Sequence, residues 1–180
     1  MLLNKTVVLS LVLLVNSAYP TLAQQLSMTQ VAKIYLMQDC GTGEKNPAEW
    51  LQKVIGFGDE VIPLLLEAIE KGPSSQAQDQ VRKSAKEDFS RIQKFIKDGG
   101  LQGLEDREVA KDAEQMDENT FVEMRLTSFV RGYQERALNA LKGLNNPSVI
   151  NQLINISNGK DFPEELKKRV KEAIEALKSK

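Results

Sequence analysis

Apolar residues recur at steps of three and four residues along most of the chain, and no stretch shows the strict alternation of a half-buried β-strand. The clearest stretch has its apolar residues at spacings of 4, 4, 3 and 4: Val81, Ala85, Phe89, Ile92 and Ile96. Such steps place side chains on one face of an α-helix, so we expect an all-α fold of about seven or eight helices. Five aromatic residues fall on these apolar faces and are predicted to lie in the core: Trp50, Phe89, Phe95, Phe121 and Phe129.

Residues that start and end helices divide this pattern into elements. Asn46 followed by Pro47 predicts an N-cap and a first helical residue. Asp59 is the predicted cap of the next helix, and Ser75 is the predicted start of a longer one. A further helix is expected to resume near Phe121 and to continue through the middle of the chain.

The first 23 residues have the layout of a cleavable signal peptide. Lys5 supplies a positive charge, residues 7–15 form a short apolar run, and small residues precede the expected cleavage site after Ala23, with Ala18 as the second choice. A transmembrane anchor is the rival interpretation, but spanning a bilayer takes about 20 apolar residues, roughly twice this run. We therefore expect an exported protein, periplasmic or secreted, that does not insert into the membrane after cleavage.

Composition excludes several classes of site. The chain has no histidine, which rules out Ser-His-Asp and Cys-His catalysis and histidine-ligated metals. Its single cysteine, Cys40, lies in residues 24–46, which are predicted to form an N-terminal helix and loop. Cys40 allows at most an intermolecular disulfide. With 24 basic and 25 acidic residues the net charge is −1, so nucleic acid is not an expected partner.

Three short patterns resemble chemical motifs but lack what those motifs need. Residues 41–45 have glycines and a lysine without the spacing of a phosphate-binding loop. Ser157 and Lys160 match the Ser-x-x-Lys pattern of serine acylases without its companion motifs. Residues 112–119 are acidic but contain no glycine for a calcium-binding loop. We predict no catalytic residue, no cofactor, no metal and no enzymatic activity.

Residues 59–66 and 147–154 repeat the same spacing of apolar pairs at an offset of 88 residues. The run over residues 135–150, with Arg-Ala-Leu-Asn-Ala-Leu leading through Asn-Asn-Pro into Val-Ile, resembles the junction between successive HEAT repeats. The resemblance implies a short right-handed α-solenoid of about three helical hairpins. That domain would span residues 47–180, with an acidic insertion near 99–120.

The resemblance to HEAT repeats also implies a function. Members of that family mostly act as scaffolds, so we expect a protein-protein interaction scaffold or adaptor whose second helices contact a protein partner on the concave side. Five charged residues are the predicted partner contacts: Arg82, Lys86, Arg136, Asp117 and Glu118. In the family, residues at the positions of Arg82 and Arg136 bridge neighbouring repeats. Two alternatives remain open, an accessory or enzymatic role using carboxylates or Cys40, and a secreted effector.

Overall fold

The computed structural model describes residues 26–38, 46–98 and 116–179, and within these ranges the chain is all-helical with no strand. The all-α prediction is confirmed. The predicted signal peptide, Cys40 and most of the predicted acidic insertion lie outside the described residues. The described ranges contain seven α-helices: α1 (Met28–Met37), α2 (Pro47–Ile55), α3 (Ile62–Lys71), α4 (Ser75–Lys97), α5 (Glu118–Leu144), α6 (Ile150–Ser157) and α7 (Glu164–Lys178). Two 3₁₀ turns, Gly58–Val61 and Pro147–Val149, precede α3 and α6.

Most helix starts agree with the sequence prediction. Asn46 caps α2, with its Oδ1 accepting from the backbone N–H of Glu49 at 3.3 Å, and Pro47 is the first residue of the helix. Helix α4 begins at Ser75, as predicted, with Ser74 as its N-cap. Helix α5 is a single unbroken helix of 27 residues that begins just before Phe121.

The prediction that Asp59 caps a helix is wrong. Asp59 lies inside the 3₁₀ turn, α3 starts only at Ile62, and no side chain caps it. The carboxylate instead accepts a hydrogen bond from Nδ2 of Asn146, 87 residues further along the chain, with 2.8 Å between Oδ1 and Nδ2. The side chain therefore joins two distant turns rather than satisfying the first N–H groups of its own helix.

The sequence repeat has a structural counterpart. Each 3₁₀ turn passes into an α-helix, at Ile62 in the first copy and Ile150 in the second, which reproduces the offset of 88 residues. The residues before these starts, Val61 and Val149, have nearly the same conformation, with φ/ψ of −84°/−14° and −78°/−11°. Both are fully buried. The two stretches thus share one local fold, and α3 and α6 pack against each other.

Helix α5 is the centre of the packing. It contacts α1, α2, α3, α4 and α7, and its C-terminal half contributes to a core shared with all of these except α4. Helix α4 instead packs on the N-terminal half of α5 through a smaller, separate cluster of Ala85, Phe121 and Val122. Helices α3 and α4 both pack mainly against α5 rather than against each other. The arrangement of these helices as a solenoid of stacked helical hairpins stays a prediction.

One predicted core residue does not lie in the core. Phe95, near the end of α4, has 38% of its surface exposed, and among the described helices α4 packs mainly against α5. The other four aromatic residues of the prediction are buried or half-buried: Trp50, Phe89, Phe121 and Phe129. In the parts of the chain that the structure describes, no helix has the length and apolar character needed to cross a membrane.

Candidate functional site

A groove of about 320 Å³ runs between α4 and α5, and Met37, the last residue of α1, also lines it. We call it the α4–α5 groove. Most of its surface is apolar, and its apolar lining residues are Met37, Ala77, Val81, Ala85, Met124 and Phe129. Its polar lining is supplied by Gln80, Ser84, Asp88, Arg125 and Ser128.

The spacing of small residues explains why a groove forms here. Ala77, Val81, Ser84 and Asp88 stand at steps of four, three and four residues, so they share one face of α4. Across the groove, α5 presents Ser128. Because alanine and serine fill little volume, the two helices leave space between them that larger side chains would close.

Asp88 connects the two walls of the groove electrostatically. Its carboxylate pairs with Arg91 one turn further along α4 and lies 3.8 Å from Nη2 of Arg125 on α5. The Asp88 side chain is about three-quarters buried, with 26% exposed, so the charge is held in a fixed position rather than moving freely in water. The groove therefore combines an apolar floor with an ordered ionic group at its edge.

Three of the five predicted partner contacts meet at the α4–α5 interface, although none lines the groove. Arg82 Nε lies 3.8 Å from Glu123 Oε1, and Lys86 Nζ lies 3.9 Å from Glu118 Oε1. Arg82 also pairs with Asp79 on its own helix at 3.1 Å. Between 41% and 71% of each of these side chains is exposed, and ion pairs in contact with water contribute only about 0–1 kcal/mol. Such pairs exchange readily for pairs with a partner.

Asp117 serves as the N-cap of α5. It accepts hydrogen bonds from the backbone N–H of Thr120 at 3.0 Å and from the Thr120 hydroxyl at 2.8 Å. These hydrogen bonds, the backbone one first, lower the pKa of the Asp117 carboxyl because they stabilise its charged form. The Asp117 carboxylate is therefore already engaged in capping the start of α5.

Arg136 lies away from the other predicted contacts, where α1 meets α5. Its Nε donates to the backbone oxygen of Leu36 at 3.0 Å, and the Tyr35 hydroxyl donates to the backbone oxygen of Arg136 at 3.2 Å. Burial raises the pKa of Tyr35 to about 12, and the nearby Arg136 charge opposes part of that rise. Arg136 thus binds the C-terminal end of α1 and joins it to the central helix.

Sequence reasoning missed the residues that make the α4–α5 groove. It assigned Ala85 correctly to the core, assigned the half-buried Val81 there as well, and did not single out Met37, Ser84 or Ser128. The sequence signal for the groove was the helical spacing of Ala77 and Ser84 on one face of α4. That signal predicts a groove only when the register of α5 against this face is known.

No cluster of three or more histidine, cysteine or acidic side chains suited to hold a metal occurs among the residues described. Comparison of the chain with models of protein families, with curated proteins and with solved structures finds no match in any of the three.

Proposed function

We propose that this protein is a non-catalytic helical scaffold that binds a protein partner in the α4–α5 groove. The observation that carries the proposal is the groove itself, an apolar floor of about 320 Å³ bordered by polar side chains. Protein interfaces have this composition, with an apolar centre and a polar, solvated rim. A partner would insert an apolar anchor residue between Ser84 and Ser128.

The exposure of α4 supports this choice of surface. Only Ala77 and Ala85 are buried among its 23 residues, because the helix packs mainly on α5. Phe95 follows Asp88 by seven residues, two turns along the same face of α4, and adds an exposed aromatic ring beyond the groove. Aromatic side chains often anchor protein interfaces. Partner contact would therefore run along α4 from the groove toward Phe95.

Two methionines adapt the groove to a protein rather than to a rigid small molecule. Met37 and Met124 lie on its walls, and the unbranched thioether side chain changes rotamer at low cost. Arg82, Lys86 and Glu118 lie at the same helix pair and supply exposed charges that a partner could pair with. Asp117 and Arg136 are left out of this proposed surface because their side chains cap α5 and hold α1.

The proposal includes the architecture and the location inferred from sequence. A HEAT-like right-handed α-solenoid is supported by the two equivalent turns before α3 and α6 and by the hydrogen bond that joins Asp59 to Asn146. Export by a cleavable signal peptide is supported by the charge and apolar pattern of residues 1–23.

The test uses a substitution that fills the groove without touching the core. Ser84→Arg places a long charged side chain at an exposed position on the groove wall, and Ser90→Arg places the same side chain elsewhere on α4, outside the groove. Each purified protein is used as bait in an extract of its native cells. The captured protein is then purified and its affinity for each bait is measured directly.

We expect the wild type and Ser90→Arg to bind this protein equally and Ser84→Arg to bind it at least about tenfold more weakly, a loss of roughly 1.4 kcal/mol. Equal affinity for all three baits would reject the groove as the binding surface. Failure of every bait to bind any protein specifically would reject the scaffold function.

A further inference from the structure

A second, smaller pocket lies on the opposite side of α5, where the start of α7 packs against it. We call it the Arg131 pocket. Its volume is about 240 Å³, and most of its surface is apolar. Its apolar lining consists of Leu126, Val130, Pro163 and Leu166. Met124 and Ser128 line the α4–α5 groove, and Leu126 lies two residues from each of them, about 200° around the helix. The Arg131 pocket and the α4–α5 groove therefore occupy different faces of α5.

Buried side chains form the inner wall of the Arg131 pocket. Leu126 and Leu166 are almost fully buried. Gln134, also nearly buried, donates from Nε2 to the backbone oxygen of Ile69 at 2.8 Å, which joins α5 to α3. Because that amide hydrogen bond is part of the helix packing, the wall offers an incoming molecule mainly apolar contact.

The mouth of the pocket carries a pair of opposite charges. Arg131 on α5 donates from Nη1 to Oε2 of Glu165 on α7 at 3.1 Å. The two side chains are 51% and 80% exposed, so water screens their attraction and their ion pair contributes little to stability. The arrangement shows that the Arg131 guanidinium can bind a carboxylate at the edge of an apolar pocket. A carboxylate from another molecule can replace Glu165 at small cost.

We propose that the Arg131 pocket binds a small apolar monocarboxylate, with the hydrocarbon part against Leu126, Val130 and Leu166 and the carboxylate on Arg131. The size agrees with this class of ligand, since an engineered apolar cavity of about 150 Å³ already accepts benzene and this pocket is larger. A medium-length fatty acid or an aromatic acid therefore fits. The site is independent of the proposed scaffold function because it uses another face of α5.

The test measures binding of octanoate to the purified protein by calorimetry and by NMR of the methyl groups. We expect saturable binding of octanoate, shifts at Leu126, Val130 and Leu166, and at least about threefold weaker binding of octanol, which has no charge for Arg131. Arg131→Gln should weaken octanoate binding about threefold to fivefold, the range for a partly exposed ion pair.

Glu165→Gln provides the opposite test, because it removes the carboxylate that competes for Arg131. It should strengthen octanoate binding about twofold to fivefold and leave octanol binding unchanged. Arg169→Gln is the matched control: Arg169 lies on α7, forms ion pairs with Glu135 and Glu172, and does not line the pocket. Octanoate binding to this variant should equal that of the wild type.

Five results would overturn the proposal. Absence of saturable octanoate binding, or shifts confined to methyl groups outside the pocket, would show that the pocket is not a ligand site. Equal affinity for octanol and octanoate, or no effect of Arg131→Gln, would show that no carboxylate is recognised. A loss of affinity in Arg169→Gln as large as in Arg131→Gln would assign the effect to overall charge. None of these results depends on whether the α4–α5 groove binds a protein.

Discussion

Asn146 donates from its side-chain Nδ2 to Oδ1 of Asp59 across a distance of 2.8 Å, although the two residues are 87 positions apart in the chain. Asp59 lies in the turn that leads into α3, and Asn146 is the N-cap of the equivalent turn that leads into α6. Asn146 also accepts with its Oδ1 from the backbone N–H of Ser148 at 2.9 Å, which caps its own turn. One side chain therefore starts the second repeated unit and fixes it to the first.

Removing either partner of this hydrogen bond should destabilise the protein by different amounts. Asp59→Ala loses one exposed hydrogen bond, so we expect the free energy of unfolding to fall by about 0.5–1 kcal/mol. Asn146→Ala loses that bond and the cap of its turn, so we expect a fall of about 1–2 kcal/mol. Urea unfolding of each variant measures both values.

Glu60→Ala is the control for Asp59→Ala, because Glu60 is an exposed acid in the same turn. We expect it to stay within about 0.5 kcal/mol of the wild type. Equal losses for Asp59→Ala and Asn146→Ala would show that the bond between the turns, and not the cap, accounts for the whole effect of Asn146.

Gly143 allows α2 to approach α5 closely. A methyl group at this position would overlap Cδ1 of Ile55 and lie 3.1 Å from its Cγ1. Alanine favours a helix over glycine by about 1 kcal/mol, but overpacking costs about 1–3 kcal/mol. We expect Gly143→Ala to lower stability in the wild type and to raise it when Ile55→Val has removed Cδ1. The coupling in this double-mutant cycle should reach at least about 0.5 kcal/mol.

Gly132→Ala in the same helix supplies the matched cycle. The nearest atoms to a methyl group at Gly132 would be those of the Arg136 guanidinium, at 3.3 Å and beyond, and no atom of Ile55 is among them. Its effect should therefore add to that of Ile55→Val within about 0.3–0.5 kcal/mol. If the effects of Gly143→Ala and Ile55→Val on the free energy of unfolding are also additive, α2 and α5 do not touch at Gly143 in solution.

Local features of the fold could be predicted from the sequence, whereas its packing could not. The Asn46–Pro47 pair and Ser75 mark helix starts because capping depends on a few neighbouring residues. The repeated spacing in residues 59–66 and 147–154 predicted two equivalent helix starts, because a helix start also depends on neighbouring residues. Asp59 was assigned the wrong task because the choice between capping a helix and bonding to Asn146 depends on a residue in the distant turn.

The candidate site was harder to predict for the same physical reason. Lys86 and Glu118 were identified from charge, and Arg82 and Arg136 also from their positions in the resemblance to HEAT repeats. Arg82, Lys86 and Glu118 meet because α4 and α5 run side by side. Arg136 instead binds the end of α1, and no local pattern identifies Leu36 as its acceptor. A groove can be recognised only when the register of the two helices that form it is known. That register depends on contacts between residues that are distant in sequence.

Tyr35 should make the protein sensitive to alkaline pH. Burial raises the pKa of its hydroxyl to about 12, whereas an unfolded tyrosine releases its proton near pH 10. The unfolded chain therefore binds fewer protons between these values, and stability falls as pH rises. This contribution is fully present below about pH 10 and is lost as pH increases toward 12. Urea unfolding between pH 8 and 12 should show the decline.

Tyr35→Phe should lower stability at neutral pH by about 0.5–1.5 kcal/mol, because it removes the hydrogen bond to Arg136, and should flatten the decline above pH 10. Tyr133→Phe is the comparison, because burial also raises the pKa of this half-buried tyrosine. That variant should lose only its own part of the decline and keep the part that Tyr35 contributes. An equally steep decline in Tyr35→Phe and in the wild type would contradict this assignment.

Phe121 should control how firmly α4 is held. Its ring is 1% exposed and lies 5.4 Å, centre to centre, from that of Phe89 on α4, inside the small cluster that is separate from the main core. We expect Phe121→Ala to cost about 3–5 kcal/mol. The loss should be concentrated in α4 and the N-terminal half of α5, where hydrogen exchange would accelerate, while α6 and α7 keep their protection.

Leu65→Ala is the comparison, because Leu65 is fully buried in the main core. It should cost about 2–5 kcal/mol and accelerate exchange in every helix of that core. If Phe121→Ala instead lowered protection equally in all helices, the two clusters would unfold as one unit. The distinction bears on function, since the α4–α5 groove keeps its shape only while α4 stays packed on α5. A selective loss of protection in α4 should therefore also remove binding of the protein that the wild-type bait captures.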